Sequence, residues 1–194
     1  MAHIVLFHHA LGLTPGIESF AARLREAGHR VTAPDLFDGR RFESLDDGVA
    51  HAESIGFDTV IGRGVGAADD LGGPLVTMGF SLGVLPAQKL AQTDERVVGA
   101  VLCHAAVPIG MFGDAWPDDV GVQLHLVEND PWAAEDIDAA REVASAAGGT
   151  LYLYPGTAHL VAEESHDDHD PAISDQIASH ALAFVESLGV SATD

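Results

Sequence analysis

Lysine is almost missing from this chain. Lys89 is the only one in 194 residues, and lysine and arginine together number 9 against 30 aspartates and glutamates, for a formal charge of −21. A surface of that sign repels nucleic acid and anionic membranes, so neither is an expected partner. Cysteine is equally scarce. Cys103 stands alone, which leaves no internal disulfide framework and suits a cytoplasmic protein. No apolar run is long enough to span a membrane. The apolar run near the amino terminus lacks a basic leader and is interrupted by histidines and glycine, so it reads as a strand and not as a signal peptide. Internal repeats and linkers are missing too. The glycine-rich stretch 62–73 has no Gly-Lys-Ser/Thr ending, which excludes a phosphate loop and leaves a surface loop bordering the pocket as the reading.

What the chain does have is a regular alternation. Short apolar runs (His3–Phe7, 74–78, 97–102, 122–127 and Thr150–Tyr154) are separated by stretches of helical composition at 15–27, 84–93, 133–147 and 171–188. That pattern predicts βαβ units: an α/β domain over residues 1–194 with a mostly parallel central sheet flanked by helices. The length suits one domain with a sizeable core and leaves no room for a large cap domain.

The most specific motif is Gly79-Phe80-Ser81-Leu82-Gly83, between a strand-like run and a helical one. A G-x-S-x-G pentapeptide in that setting is a nucleophile elbow: the serine sits on a sharp, strained turn that exposes its hydroxyl. A serine hydroxyl needs a general base, and the base needs an acid to orient it. With this elbow the chain order is serine, then acid, then histidine. Asp130 falls just past the 122–127 strand, where Pro131 marks a loop; Glu128, in the strand's last turn, is a second candidate. Asp136 and Asp138 fall in the next helix and read as solvated. His159 follows the Thr150–Tyr154 strand in the loop opened by Pro155-Gly156. Three polar residues thus follow three separate strands in the required order.

The other histidines read differently. His125 lies inside a strand, His180 in a terminal helix and His29 in a helix-to-strand turn. His166 and His169 sit in an acidic run that reads as a solvated loop, so no metal and no cofactor are expected. Cys103 ends a buried-strand pattern and reads as core packing. An oxyanion hole needs two backbone donors. Leu82 supplies one by the geometry of the elbow, and the loop after the first strand supplies the other through Ala10, with Leu11 the alternative. Met111, Phe112 and Trp116, after the 97–102 strand, can line an apolar acyl or ring pocket or simply cover the core.

The loop His8-His9-Ala10-Leu11-Gly12, the run from Ala33 through Pro34-Asp35-Leu36-Phe37 to Gly39, the elbow, Asp130 and Tyr154-Pro155-Gly156-Thr157-Ala158-His159 together resemble the dienelactone hydrolases of the α/β-hydrolase superfamily, over nearly the whole chain. The resemblance implies a triad of Ser81, Asp130 and His159 and oxyanion donors at Ala10 and Leu82; substrate contacts are expected at His9, Phe80 and Trp116. Three departures stand out. Well-known members carry cysteine as nucleophile where this chain has Ser81, a glutamate where it has His9, and an arginine after the histidine that has no clear match here. The expected activity is hydrolysis of a small carboxylic ester or lactone through an acyl-enzyme. The alternative is a non-catalytic binding protein on the same fold. No oligomeric state is assigned.

The acidic, lysine-poor surface reads as adaptation to a salt-rich cytoplasm, as in halophiles. Like charges repel across such a surface and salt screens them. The thermal midpoint is therefore expected to rise by roughly 5 °C or more from low-salt buffer to molar KCl, as measured by circular dichroism. A midpoint unmoved by salt would count against this reading.

Overall fold

A strand buried on both faces must be apolar along its length, which is what a parallel sheet demands. The computed structural model describes residues 2–190, and its four most apolar runs form the middle of one sheet. They are β1 (His3–Phe7), β3 (Leu75–Phe80), β4 (Val97–Cys103) and β5 (Gly121–Val127), each buried at nearly every position. β2 (Arg30–Thr32) and β6 (Thr150–Tyr154) are the edges of the order β2-β1-β3-β4-β5-β6. Every neighbouring pair is parallel, so the sheet is wholly parallel among the described residues.

Side chains alternate between two cores, as the period of two requires. Phe7, Leu75, Ala100, Leu102 and Leu124 face one helical layer. Ile4, Leu6, Val76, Met78 and Val101 face the other, with Phe20 and Leu24 of α1 (Pro15–Glu26) and Ile177 and Val185 of α6 (Pro171–Ser187). The first layer is built by α3 (Phe57–Gly66), α4 (Val84–Thr93) and α5 (Asp136–Ala147), with α2 (Leu45–Ile55) beside them.

Three of the six helix starts follow capping rules. Thr14 accepts from the Ile17 amide ahead of Pro15, Ser44 from that of Asp47, and Asp170 from those of Ala172 and Ile173 ahead of Pro171. α5 starts at Asp136, later than the composition suggests, and closes on Gly148 at φ 59°.

One expectation is overturned. The stretch 62–73 is not all loop: 62–66 is the last turn of α3, and turns follow from 67. Glycine weakens a helix, but Gly64 is needed here. A Cβ on it would lie 2.4 Å from Cβ of Pro86, so the glycine lets α3 press directly onto α4.

Because all strands run the same way, the loops after β1, β3, β4, β5 and β6 gather along one edge of the sheet. Residues at 8–12, 81, 104, 128–132 and 155–159 meet there, where ligands bind in open α/β sheets.

Candidate active site

The elbow forms as its sequence dictates. Ser81 has φ 50°, a left-handed conformation that costs a non-glycine residue about 1–3 kcal/mol. Its glycine neighbours allow the turn to close. A Cβ on Gly79 would lie 2.4 Å from the Gly83 carbonyl oxygen, and one on Gly83 would lie 2.3 Å from the Phe7 oxygen and 2.7 Å from that of His8. The turn at Ser81–Gly83 therefore packs backbone to backbone against the end of β1 before α4 begins.

Ser81, His159 and Asp130 meet in one hydrogen-bonded line. Ser81 Oγ lies 2.7 Å from His159 Nε2, and His159 Nδ1 lies 2.5 Å from Asp130 Oδ2. A carboxylate can only accept, so Nδ1 carries the ring proton and Nε2 presents a lone pair to the serine O–H. Asp130 is 1 % exposed and His159 4 %, so this bond is shielded from water. The other Asp130 oxygen accepts from the Trp132 amide at 2.9 Å. Glu128 is exposed and takes no part in the line. Asp136 is partly buried instead of solvated, and burial pushes its carboxyl upward.

Two carboxylates that sequence reasoning passed over hold the loops around this line. Asp168, in the run read as solvated, accepts the backbone N–H groups of His159 (3.0 Å) and Leu160 (3.2 Å). It fixes the backbone from which the imidazole projects. Glu163 is 2 % exposed and has no lysine or arginine partner among the described residues. It accepts from His9 Nε2 at 2.7 Å, from the Thr14 hydroxyl at 2.7 Å, and from the Ser165 amide and hydroxyl. It also sits against the first turn of α1, where a Cβ on Gly16 would lie 1.7 Å from its Oε1. Burial alone would raise this carboxyl; the bonds from His9, Ser165 and Thr14 outweigh it and hold it at about 2.

The loop after β1 is set by proton positions. His8 Nε2 accepts from the Leu36 amide at 2.9 Å, so its Nδ1 donates to the His9 carbonyl at 2.7 Å. His9 Nδ1 accepts from the Leu11 amide at 3.2 Å, so its Nε2 carries the proton given to Glu163. Both rings are neutral and fully buried. Burial pushes His8 down to about 4, and drives His9 down against the pull of Glu163. The Leu11 amide is thus committed, whereas the amide of buried Ala10 makes no hydrogen bond among the described residues. Gly48 of α2 lets that helix rest on the Ala10 carbonyl, from which a Cβ would be 2.0 Å away. Ala10, Leu11, Leu45 and Leu160 form a small apolar cluster with Leu82 packed against it.

Other expected contacts lie elsewhere. Phe80 points away from Ser81 into the α1–α6 core, edge-on to Phe20 at 5.0 Å between ring centres, as strand alternation requires. Trp116 is buried and donates its indole N–H to the Val120 carbonyl at 2.7 Å. Val120 precedes β5, so Trp116 lies toward the far edge of the sheet from Ser81. His9 supports the loop from within and is 1 % exposed. Cys103 is buried in the core, and burial drives its thiol strongly upward. Two rings not singled out in the sequence flank His159: exposed Trp132, at 6.2 Å between ring centres, and buried His104, at 5.9 Å. His104 has φ 66° and no hydrogen-bond partner on either ring nitrogen. Among the described residues no three His, Cys, Asp or Glu side chains are grouped to hold a metal ion, and no helix is long and apolar enough to cross a membrane.

No family model and no curated relative matches the chain. Solved structures do. A dienelactone hydrolase-like promiscuous phosphotriesterase, P91, from metagenomic libraries aligns with TM-score 0.75 at 19 % identity, over 97 % of this chain and 87 % of that one. A cold-adapted esterase from an Arctic intertidal metagenomic library aligns with TM-score 0.68 at 19 % identity, over 96 % and 82 %. Mouse α/β-hydrolase domain-containing protein 10 aligns with TM-score 0.67 at 13 % identity, over 96 % and 90 %. The fold is the α/β-hydrolase fold, and its neighbours include the dienelactone hydrolase-like proteins that the motifs resemble.

The buried neutral imidazoles make stability depend on pH in a stated direction. His8 is held at about 4 and His125 at about 3, against 6.5 for the free side chain. As pH falls below 6.5 the unfolded chain takes up protons that the folded one refuses, so stability is lost from there down to about 3–4. Glu163, held at about 2, adds a loss that begins near 4.5. At about 1.4 kcal/mol per unit, His8 alone accounts for a loss of order 3 kcal/mol by about pH 4. Denaturant unfolding between pH 7 and pH 4, in molar KCl to screen surface repulsion, should show falling stability and uptake of more than one proton. A flat profile would refute the neutral-interior assignment.

Proposed function

We propose that this chain is a serine hydrolase that cleaves a small carboxylic ester or lactone. The observation that carries this reading is the shielded line from Ser81 through His159 to Asp130 at the ligand-binding edge of the sheet. The hydrolase and esterase descriptions of its structural neighbours support the same class.

In the proposed reaction His159 Nε2 takes the Ser81 proton as Oγ attacks the ester carbonyl. Asp130 holds the ring in the Nδ1–H tautomer and stabilises the imidazolium that forms. The oxyanion is received by the amides of Leu82 and Ala10; with the Leu11 amide engaged by His9, the choice between Ala10 and Leu11 falls to Ala10. The imidazolium then returns its proton to the departing alkoxide, or to the ring oxygen of an opened lactone, leaving an acyl-serine. Water deprotonated by His159 attacks the acyl carbonyl and releases the acid and Ser81. The cluster of Leu11, Leu45, Leu82 and Leu160 borders both proposed donors and suits a small apolar acyl group.

Glu163 acts in this scheme as a positioning residue. Its oxygens accept hydrogen bonds from four donors, so glutamine in its place satisfies them in neither orientation. With the amide NH₂ toward Ser165, two N–H groups collide. With it toward His9, the ring must move its proton to Nδ1 and collide with the Leu11 amide.

Two outcomes test the reading. Ser81→Ala should lower hydrolysis of short-chain aryl esters and small lactones by at least about a thousandfold while thermal unfolding shows an intact fold. Retained turnover would sink the triad, and a folded wild-type protein silent on every ester would return the binding-protein alternative. Glu163→Gln should lower kcat about tenfold or more with a smaller change in KM, and shift the Leu11 amide resonance. Unchanged kcat would remove Glu163 from the scheme.

A further inference from the structure

The chain's one lysine stands in an apolar surface groove. The groove runs between α3, α4 and the turn at 109–111 after β4, and encloses about 710 Å³, within the range of small-molecule sites. Phe57, Ile61 and Val65 line one wall, Leu85 the floor, and Met111 and Phe112 the other. Phe57 and Met111 are 41 % and 54 % exposed, and with Trp132 they are the large exposed apolar side chains of the described residues. Two of these three therefore border one groove. Ser81, Asp130, His159 and Ala10 do not border it. Its base is rigid, because Gly64 brings α3 onto Pro86 of α4 without an intervening side chain.

Lys89 enters this groove from α4. Its ammonium lies 5.4 Å from the centre of the Phe112 ring and forms no ion pair among the described residues, although most arginines do. Asp58 borders the groove but is not within salt-bridge distance of Lys89. A cation without an ion pair among the described residues, beside an apolar trough, is complementary to one kind of molecule, because its local attraction for an anion stands against the repulsion of the acidic surface around it.

We infer that this groove binds an amphipathic carboxylate, with its alkyl or aryl body along the α3 wall and its anionic head at Lys89. A second copy of the chain does not fit the charge, since two strongly acidic surfaces would meet. A neutral apolar ligand leaves the ammonium without a counter-charge. A polyphosphate finds no second cation and no line of amide donors. The class matches the acid product of an apolar ester, but the site stands on its own residues and holds whether or not Ser81 is the nucleophile.

The test is a titration with sodium octanoate, below its micellar range, of protein carrying ¹³C-methyl methionine. Met111 reports on the groove, and Met78, buried in the sheet, serves as the internal control. The Met111 signal should shift saturably while Met78 stays still, and octanol should bind several-fold more weakly. Lys89→Met should weaken octanoate about fivefold and leave octanol unchanged. Gly62→Phe, built where a Cβ meets nothing within 4 Å, should fill the groove and remove the octanoate response. Hydrolysis of aryl esters should be unchanged in both variants. The inference fails if Met111 shows no saturable shift, if octanol binds as tightly as octanoate, or if Lys89→Met binds octanoate like wild type. It also fails if sedimentation shows that a second copy covers the groove. Inhibition of hydrolysis by octanoate without a Met111 shift would place the acid at Ser81 and overturn the groove while leaving the proposed function intact.

Discussion

Everything at the candidate site depends on backbone meeting backbone where the turn after β3 touches the end of β1. Ser81 sits in a conformation that it would leave if its surroundings allowed. Gly83 holds it by approaching the Phe7 and His8 carbonyls more closely than any side chain would permit. The same contact fixes the loop after β1 relative to the serine, so strain at one residue and placement of its opposite loop share a cause. Neither glycine can be replaced by alanine without moving β1, β3 or α4, and those elements carry the two cores. The rigid sheet thus over-determines a strained residue, the condition under which such strain persists.

The site is also built with almost no help from cations. Asp130 is held by an imidazole N–H and the Trp132 amide; Asp168 by two backbone amides; Glu163 by two hydroxyls, an amide and an imidazole. Arginine does anchor Asp94, but on the surface near the other end of the sheet. Hydrogen bonds to a carboxylate favour its ionised form much as a cation does. A chain with nine basic residues can therefore keep buried anions in place, provided its histidines stay neutral and hold fixed tautomers. His8 and His9 meet that condition, and each ring spends its lone pair on a backbone amide.

What was legible in the sequence follows from the range of the signal. Five of the six strands, four of the six helices and the three residues of the hydrogen-bonded line were readable, because strand periodicity and the elbow are local and the serine, acid, histidine order is a topological rule. α3 was missed because its glycines read as a loop; the contact that explains Gly64 is with Pro86, on another helix. Asp168 and Glu163 were missed for the same reason. Inside an acidic run nothing marks which carboxylate turns inward; Glu163 does so toward donors at 14 and 9, far away in the chain, and Asp168 toward the amides of 159 and 160 once that loop folds back. Phe80 and Trp116 were expected on the substrate side, the first as a neighbour of Ser81 and the second as an apolar residue after the 97–102 strand. Strand alternation turns Phe80 to the opposite face, and a connection across the sheet's depth carries Trp116 away from Ser81.

His104 is the remaining cost beside His159. A left-handed backbone and an imidazole with neither nitrogen bonded are each unfavourable in a buried place, and burial keeps the ring neutral. The ring is packed between Phe80 and His159, at 5.8 and 5.9 Å between centres. It therefore acts as a wall against one side of the imidazole, with Trp132 also near that ring and Asp168 fixing its backbone. A protonated ring at that position would oppose the imidazolium that the proposed mechanism forms. A phenyl ring would lack the cost of the unpartnered nitrogens but would occupy much the same space. Packing and neutrality therefore account for an uncharged ring at this place, while a phenyl ring would supply both, so nothing in the structure explains the choice of an imidazole.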